Sequence, residues 1–269
     1  MNSIFYKNKL KNKYFEQLVN EFWYAPCDSF LRAPEIAIWR SIQPKHPILD
    51  VGCGDGRMDK YLFPHIDIDV GIDSDKKAVG VARKSGLYDK VVHSKASKIP
   101  FENDYFSSVI SNSTFEHIKD DLFTLREISR ILKIKGDFIF TTTTDNFLKT
   151  MVLLGLKGQP LKTYNERVGH YHYRSVNAWK SILKNAGFEP IIVQRYFPIS
   201  SMKIWWNLFR LTTLKVYKRE LWSYLKDSPY GRLFPSKLIS KMTYLLLVKS
   251  YKKAFDKSGN WVFVWAKKK

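Results

Sequence analysis

Residues 48–56 read Ile-Leu-Asp-Val-Gly-Cys-Gly-Asp-Gly, an apolar run that gives way to glycine at alternate positions. The run predicts a buried strand. Gly52, Gly54 and Gly56 let the following turn take positive φ and let a ligand approach the backbone closely. A pyrophosphate loop requires G-x-G-x-x-G, but Arg57 stands three places after Gly54, so the spacing is G-x-G-x-G. About twenty residues on, a second apolar run, Val70-Gly-Ile72, ends in Asp73, where a carboxylate can accept from both hydroxyls of a ribose. Asp50 and Asp73 are thus expected to flank one cleft. They suit a positively charged ligand and disfavour phosphates, which favours a nucleoside over a dinucleotide or ATP.

Histidine is the side chain best suited to move a proton at neutral pH. His117 follows Glu116 at the end of another apolar run, where it can act as a base or merely cap and pack. His170 and His172 lie in Arg167-Val-Gly-His-Tyr-His-Tyr-Arg174, with two His, two Tyr and two Arg in eight positions. That cluster can offer a base, phenolic hydrogen bonds and cationic contacts to an anionic acceptor, or it can be ordinary surface. A His-x-His pair can also ligate a metal, but no Asp, Glu or Cys stands near it in sequence, and no metal is expected. His46, His65 and His93 fall near strand or helix ends, are assigned no acidic or nucleophilic partner, and are read as structural. The two cysteines, Cys27 and Cys53, form no CxxC pair, which fits a reducing cytosol without a disulfide framework or zinc site.

These residues need elements to position them. From Pro47 onward, short β-type runs at 48–52, 68–72, 90–93, 107–111, 137–143 and 188–194 alternate with helical spacing at 57–62, 76–85, 121–133 and 175–186. Gly86, Gly136 and Gly187 stand where C-terminal helix caps belong. The alternation predicts a parallel sheet covered by helices on both faces, and Trp261-Val-Phe-Val-Trp265 reads as one last strand. Before this core, Phe15, Leu18, Val19 and Phe22, then Leu31, Ile36, Ile38 and Trp39, predict two leading helices broken near Pro26.

In this order and spacing the chain resembles the class I S-adenosylmethionine-dependent methyltransferases, in the broad branch that holds many small-molecule enzymes. The likeness covers roughly residues 46–193. Asp50-Val-Gly-Cys-Gly-Asp-Gly56 matches the first family motif and Asp73 the ribose-binding acid. Lys95-Ala-Ser-Lys-Ile-Pro-Phe101 matches the turn after strand three, and Phe106-Ser-Ser-Val-Ile-Ser-Asn-Ser-Thr-Phe-Glu-His117 matches strand four and the turn beside the methyl donor. Arg126-Glu-Ile-Ser-Arg-Ile-Leu-Lys-Ile-Lys-Gly136 matches the helix before strand five. The resemblance implies a Rossmann-like, seven-stranded α/β methyltransferase sheet with S-adenosyl-L-methionine as cofactor. It implies Asp50, Gly52, Cys53, Gly54, Gly56, Asp73, Ser74, Ala96, Ser111 and Asn112 as cofactor-binding residues, with His117, His170 and His172 as catalytic candidates. Lys95 stands where relatives often carry an acid and Ser107 where they carry Asp, so adenine would rest on the Ala96 backbone or on Ser94 and Ser97. The implied organisation is an N-terminal helical cap over 1–45, a cofactor-binding core over 46–199, a helical insertion over 200–258, and a final strand and tail over 259–269. Trp23, Tyr24 and Arg32 in the cap are placed either at a substrate entrance or in simple packing.

The net charge of +20 calls for an anionic partner. From residue 200 to the end, sixteen Lys and Arg face only Glu220, Asp227 and Asp256. Within this segment, Ile204-Trp-Trp-Asn-Leu-Phe-Arg-Leu211 and Leu238-Ile-Ser-Lys-Met-Thr-Tyr-Leu-Leu-Leu-Val248 set apolar blocks among lysines. That texture describes helices lying on an anionic membrane surface or folded as a substrate lid. Nucleic acid is the weaker alternative, because no binding-module signature occurs and Asn112-Ser-Thr-Phe115 replaces a base-flipping Asn-Pro-Pro-Tyr motif. The N-terminus has no secretory leader pattern, and no apolar run reaches the ~18 residues of a spanning helix. The expectation is a cytoplasmic enzyme, peripheral to the inner face of a membrane, acting on a small-molecule, lipid-linked or glycan-precursor substrate.

Overall fold

A computed structural model of the chain describes residues 11–256 and 258–269. The first ten residues, which bear on the leader expectation, lie outside the described residues. In chain order the elements begin α1 (Lys11–Glu21), α2 (Pro26–Trp39), β1 (Ile48–Val51), α3 (Asp59–Leu62), β2 (Ile68–Asp73), α4 (Lys76–Ala82), β3 (Tyr88–His93) and β4 (Phe106–Asn112). A 3-10 turn at Phe115–His117 leads into α5 (Asp121–Ile131), β5 (Leu132–Thr143), α6 (Asp145–Leu153), α7 (Gly158–Val168), α8 (Val176–Asn185) and β6 (Phe188–Tyr196). The chain continues through α9 (Ile199–Thr212), β7 (Lys215–Val216), β8 (Arg219–Glu220), α10 (Leu221–Asp227), α11 (Ser236–Lys253) and β9 (Trp261–Lys268). It divides into two compact units, one formed by the chain up to Ile42 with Tyr196–Gly259, the other by Gln43–Arg195 with Asn260–Lys269.

The second unit is built on a seven-stranded sheet in the order β3-β2-β1-β4-β5-β9-β6. The pairs from β3 through β5 are parallel, and β9 runs antiparallel to β5. All four residues of β1 are buried, as a strand covered on both faces must be. The strand order reverses between β1 and β4, the kind of switch point beyond which ligands sit in open α/β sheets. Leu125, Ile128 and Ile131 of α5, and Trp179 and Leu183 of α8, repeat at helical spacing and are buried. Phe115 anchors the same core, with its ring centroid 5.0 Å from Phe140 and 5.7 Å from Trp179. Each such ring contributes roughly 1.5–3 kcal/mol through burial.

Two features depart from the sequence expectations. Gly136 is not a helix cap: α5 ends at Ile131, β5 starts at Leu132, and Gly136 lies inside the strand. A β-carbon there would collide with the Leu132 side chain and come within 2.7 Å of the Lys133 carbonyl, at a place where the β4–β5 register shifts. Second, α6 and α7 occupy a stretch to which the apolar spacing assigned no element. Of the other expected caps, Gly187 does end α8, with φ +87°, whereas Gly86 stands beyond α4, which ends at Ala82 and is capped by Arg83.

The first unit joins the leading helices to the basic segment. Phe15 of α1 stacks on Tyr251 of α11 with centroids 4.8 Å apart. The Ser240 hydroxyl of α11 donates to the Val19 carbonyl at 3.0 Å, and Tyr196 donates to buried Glu35 of α2 at 3.1 Å. Arg32 pairs with that same Glu35 at 2.7 Å, three residues on along α2. Trp23 and Tyr24 meet edge to face at 6.0 Å. Among the described residues, no helix is long and apolar enough to cross a membrane.

Candidate functional site

The β1–β2 register sets Val51 beside Ile72, and the β1–β4 register sets Asp50 beside Ile110, so the residues just past these strands emerge at one edge of the sheet. A cleft of about 660 Å³ opens there, within the size range of small-molecule sites. Gly52, Asp73, Ser74, Lys95, Ala96 and Asn112 line it, with Ser94, Ser97, Thr114 and His117 around them. Gly52 has φ +80°, and a β-carbon there would run into the Thr114 side chain, so the turn requires glycine for both conformation and space. Asp73 stabilises the loop: Oδ2 accepts from the Gly54 amide at 2.9 Å and Oδ1 from the Asp75 amide at 2.8 Å. Asp75 in turn caps α4, accepting from the Lys77 amide at 2.8 Å.

Beneath the loop lies a buried polar cluster. The Tyr88 hydroxyl donates towards Asp50 Oδ2 at 2.8 Å and Asp59 Oδ2 at 3.0 Å, one proton shared between two carboxyl groups. Burial first, and neighbouring Asp59 second, push the Asp50 carboxyl well above the usual carboxylate range. Asp50 therefore braces the loop from below. Cys53 is also buried, packed with Val79, Ala82 and Val91. Ser111 is buried too, and its hydroxyl donates to the Val51 carbonyl at 2.8 Å.

On the other side of the cleft, the turn after β4 meets the loop after α7. The Tyr171 amide donates to the Glu116 carbonyl at 2.8 Å, and His172 Nε2 donates to the Lys119 carbonyl at 2.8 Å. Arg174 forms a two-pronged ion pair with buried Asp121, at 2.6 and 2.8 Å. Thus fastened, His170 comes beside His117, with ring centroids 4.8 Å apart. His117 Nδ1 lies 3.3 Å from the Gly169 carbonyl and His170 Nδ1 lies 2.9 Å from the Tyr173 hydroxyl. Burial, then the neighbouring His117, pushes His170 down to about 3, so it stays neutral at physiological pH. Thr142 donates to the buried Glu116 carboxylate at 2.8 Å, and Thr141 donates to Asn112 at 2.7 Å, so the end of β5 positions both residues. A second cavity of about 580 Å³, lined by Leu161, Asn165, Gly169 and His170, shares Tyr171 with the first cleft.

The comparisons with known proteins bear on this architecture directly. A methyltransferase-domain family model matches residues 49–140, from β1 into β5. This stretch carries a methyltransferase domain, and the chain is similar there to the class I S-adenosylmethionine-dependent methyltransferases. It is 27% identical over 180 residues to an uncharacterised protein of Methanocaldococcus jannaschii, covering 66% of this chain and 82% of that one. It is 29% identical over 158 residues to phosphoethanolamine N-methyltransferase 3 of Arabidopsis thaliana, covering 57% of this methyltransferase and 31% of the plant enzyme. The chain spans between 31% and 59% of the length of that enzyme and three further curated relatives. In fold it is similar to an S-adenosylmethionine-dependent methyltransferase of Thermotoga maritima, with a TM-score of 0.57 at 20% identity, covering 96% of this chain and all of that one.

The cofactor of this methyltransferase is S-adenosylmethionine, and the residues present fit it. The glycine loop leaves backbone exposed where side chains would fill the cradle, and the Asp73 carboxylate stands at the end of β2. Ala96 and Ser97 line the far side, while the Ser94 hydroxyl already donates to the Lys98 carbonyl at 2.8 Å. Of the expected cofactor residues, Gly52, Asp73, Ser74, Ala96 and Asn112 line the cleft. Gly54 is bonded to Asp73, Gly56 turns the loop at φ +74°, and Asp50, Cys53 and Ser111 lie underneath. Of the candidate bases, His117 and His170 come together, whereas His172 serves as a fastener. Tyr88, Asp59 and Thr114 were not singled out from the sequence, whereas Tyr171 belongs to the 167–174 cluster that was. The ring of Tyr88 lies 3.0 Å from where a β-carbon on Gly71 would stand, so that glycine in a strand was the available signal.

Proposed function

We propose that the chain methylates a small-molecule, lipid-linked or glycan-precursor acceptor at an anionic membrane surface, on the inner face of that membrane. The observation that carries the first part is Tyr171, which lines both the donor cleft and the cavity holding His170. An acceptor seated in that cavity reaches the donor past His117 and Tyr171. S-adenosylmethionine supplies a methyl group on sulfonium sulfur, and the carbon–sulfur bond breaks with its electron pair passing to sulfur as an acceptor lone pair forms the new bond. The protein's task is then alignment and exclusion of water. Gly52 and Asp73 set the donor side, the fastened 169–174 loop sets the acceptor side, and the His117 and His170 imidazoles face the reacting region.

The membrane half rests on the first unit. Leu238, Met242, Leu245 and Leu246 recur on one face of α11 and are exposed, as are Leu233 and Phe234 just before it. The thirteen Lys and Arg between residues 200 and 259 supply the attraction to anionic lipid. A chain incubated with methyl-tritiated S-adenosylmethionine and cell extract should label the small-molecule or lipid-extractable fraction. It should also co-sediment with vesicles containing phosphatidylserine and not with phosphatidylcholine vesicles. Label confined to RNA, with steeply salt-dependent RNA binding, would overturn this reading in favour of a nucleic-acid acceptor.

A further inference from the structure

Glu116, His117 and His170 each bring one potential ligand atom to within 4.8 Å of one another. We propose that these three residues hold a divalent cation at the acceptor side of the donor cleft, and that the ion binds an acceptor through one or two hydroxyl oxygens. The inference rests on the methyl-donor reading of the cleft and names the acceptor class for it: a hydroxylated compound, best with adjacent hydroxyls that can both ligate the ion.

The hydrogen bonds around the cluster determine the tautomers. A carbonyl only accepts, so His117 Nδ1, 3.3 Å from the Gly169 oxygen, must carry its proton. The Tyr173 hydroxyl has one proton and gives it to Asn165 Oδ1 at 2.6 Å, so it accepts from His170 Nδ1 at 2.9 Å. Both rings therefore keep an unprotonated Nε2. Metal-ligating histidines have this arrangement, with the second ring nitrogen donating to a carbonyl or similar partner that fixes ring orientation. Glu116 adds a buried carboxylate whose placement is set by Thr142.

Two imidazole nitrogens and one carboxylate oxygen suit zinc, iron or manganese, and three protein ligands leave positions open for an acceptor. An ion at about 2.0–2.2 Å from each ligand requires the cluster to contract, which the exposed His117 side chain can supply by rotation. His117 itself lines the donor cleft, so an acceptor oxygen on the ion lies on the donor's side. The ion lowers the pKa of a bound hydroxyl. The proton passes to water, and the oxygen keeps the electron pair that bonds to the methyl carbon.

The test is calorimetric titration of the full chain, stripped with chelator, using zinc chloride as the probe. One site per chain is expected. His117→Ala and His170→Ala should each weaken it beyond the ~10–100-fold that loss of an outer partner costs, and Tyr173→Phe should fall within that range. His65→Ala, which removes an exposed imidazole elsewhere, should leave it unchanged. Absence of a stoichiometric site, or binding indifferent to both ligand variants, overturns the inference. Should His170→Ala fail to fold, His117→Ala decides alone, because that side chain is exposed. Titration of the stripped chain with S-adenosylmethionine separates the two readings: donor binding without a zinc site rejects only the ion, and a zinc site without donor binding rejects the donor reading beneath it.

Discussion

Replacing Asp73 with asparagine tests whether the carboxylate at the end of β2 both fixes the glycine loop and holds the ribose. Its two oxygens accept separately, from the Gly54 amide at 2.9 Å and the Asp75 amide at 2.8 Å. Asparagine keeps one oxygen and turns an NH2 group against the other backbone N–H, donor against donor. A hydrogen bond to a charged acceptor is worth about 1.5–3 kcal/mol, and Asp73 is only half-buried, so about 1.5–2 kcal/mol of folding stability should be lost. For a chain of this size that is roughly 3–8 °C in Tm. Ribose hydroxyls meet the same change, since one acceptor is removed and the other is no longer charged. A further 1.5–3 kcal/mol corresponds to about 10- to 150-fold weaker binding of S-adenosylmethionine. Calorimetry gives the affinity and differential scanning fluorimetry the stability. An Asp73→Asn variant that loses stability but binds the donor as tightly as the parent would show that Asp73 only braces the loop, and would refute its assignment to the ribose.

Two further perturbations probe the architecture under the cleft. Gly52→Ala combines a left-handed backbone, costing about 1–2 kcal/mol, with overpacking against Thr114, costing about 1–3 kcal/mol; urea unfolding should show the loss and Thr114→Ala should restore part of it, whereas an unchanged midpoint contradicts the packing. Cys27 and Cys53 are both buried; burial, then Asp28, pushes the Cys27 thiol up to about 12, and burial, then Asp50, raises Cys53. Thiolate is the reactive form and the folded pKa lies above the unfolded value, so at pH 8 both thiols should ignore Ellman's reagent until denaturant is added; prompt release of thionitrobenzoate from the native chain would count against this packing.

The strands were legible because short clusters of β-forming residues, Ile48, Leu49 and Val51 in β1, Ile68, Val70 and Ile72 in β2, and Val109 and Ile110 in β4, are buried and stand apart from the helical spacing around them. The start of β5 was not. Leu132-Lys-Ile-Lys continues the helical spacing of α5, and Gly136 resembles a stop signal, yet pairing of Leu132 with Phe106 across a register shift converts the segment to strand. Tertiary pairing overrides local propensity there. The helix α7 was missed for a different reason: Tyr164 is its one buried residue, too thin a stripe to announce an amphipathic helix.

The glycine-loop side of the cleft is local in sequence, one loop and one strand end, so motif spacing groups its residues. The proposed acceptor side is not, because a carboxylate and two imidazoles become neighbours only when a loop after α7 docks on the turn after β4. His172 was a candidate base beside His170, but its bond reaches the Lys119 carbonyl 53 residues away, and Arg174 reaches Asp121 across the same span. Removing Arg174 would leave Asp121 buried without its partner, a loss on the order of 3–5 kcal/mol. A loop held by that ion pair and two flanking hydrogen bonds is not free to swing, so His170 is presented to His117 before any acceptor arrives. Preorganisation of this kind lowers the ordering cost of binding and is what a ligand set must have to select an ion and fix an acceptor. The residues with the least obvious chemistry in the 167–174 cluster, Arg174 and Tyr173, are therefore the ones that determine whether the histidine beside them can act.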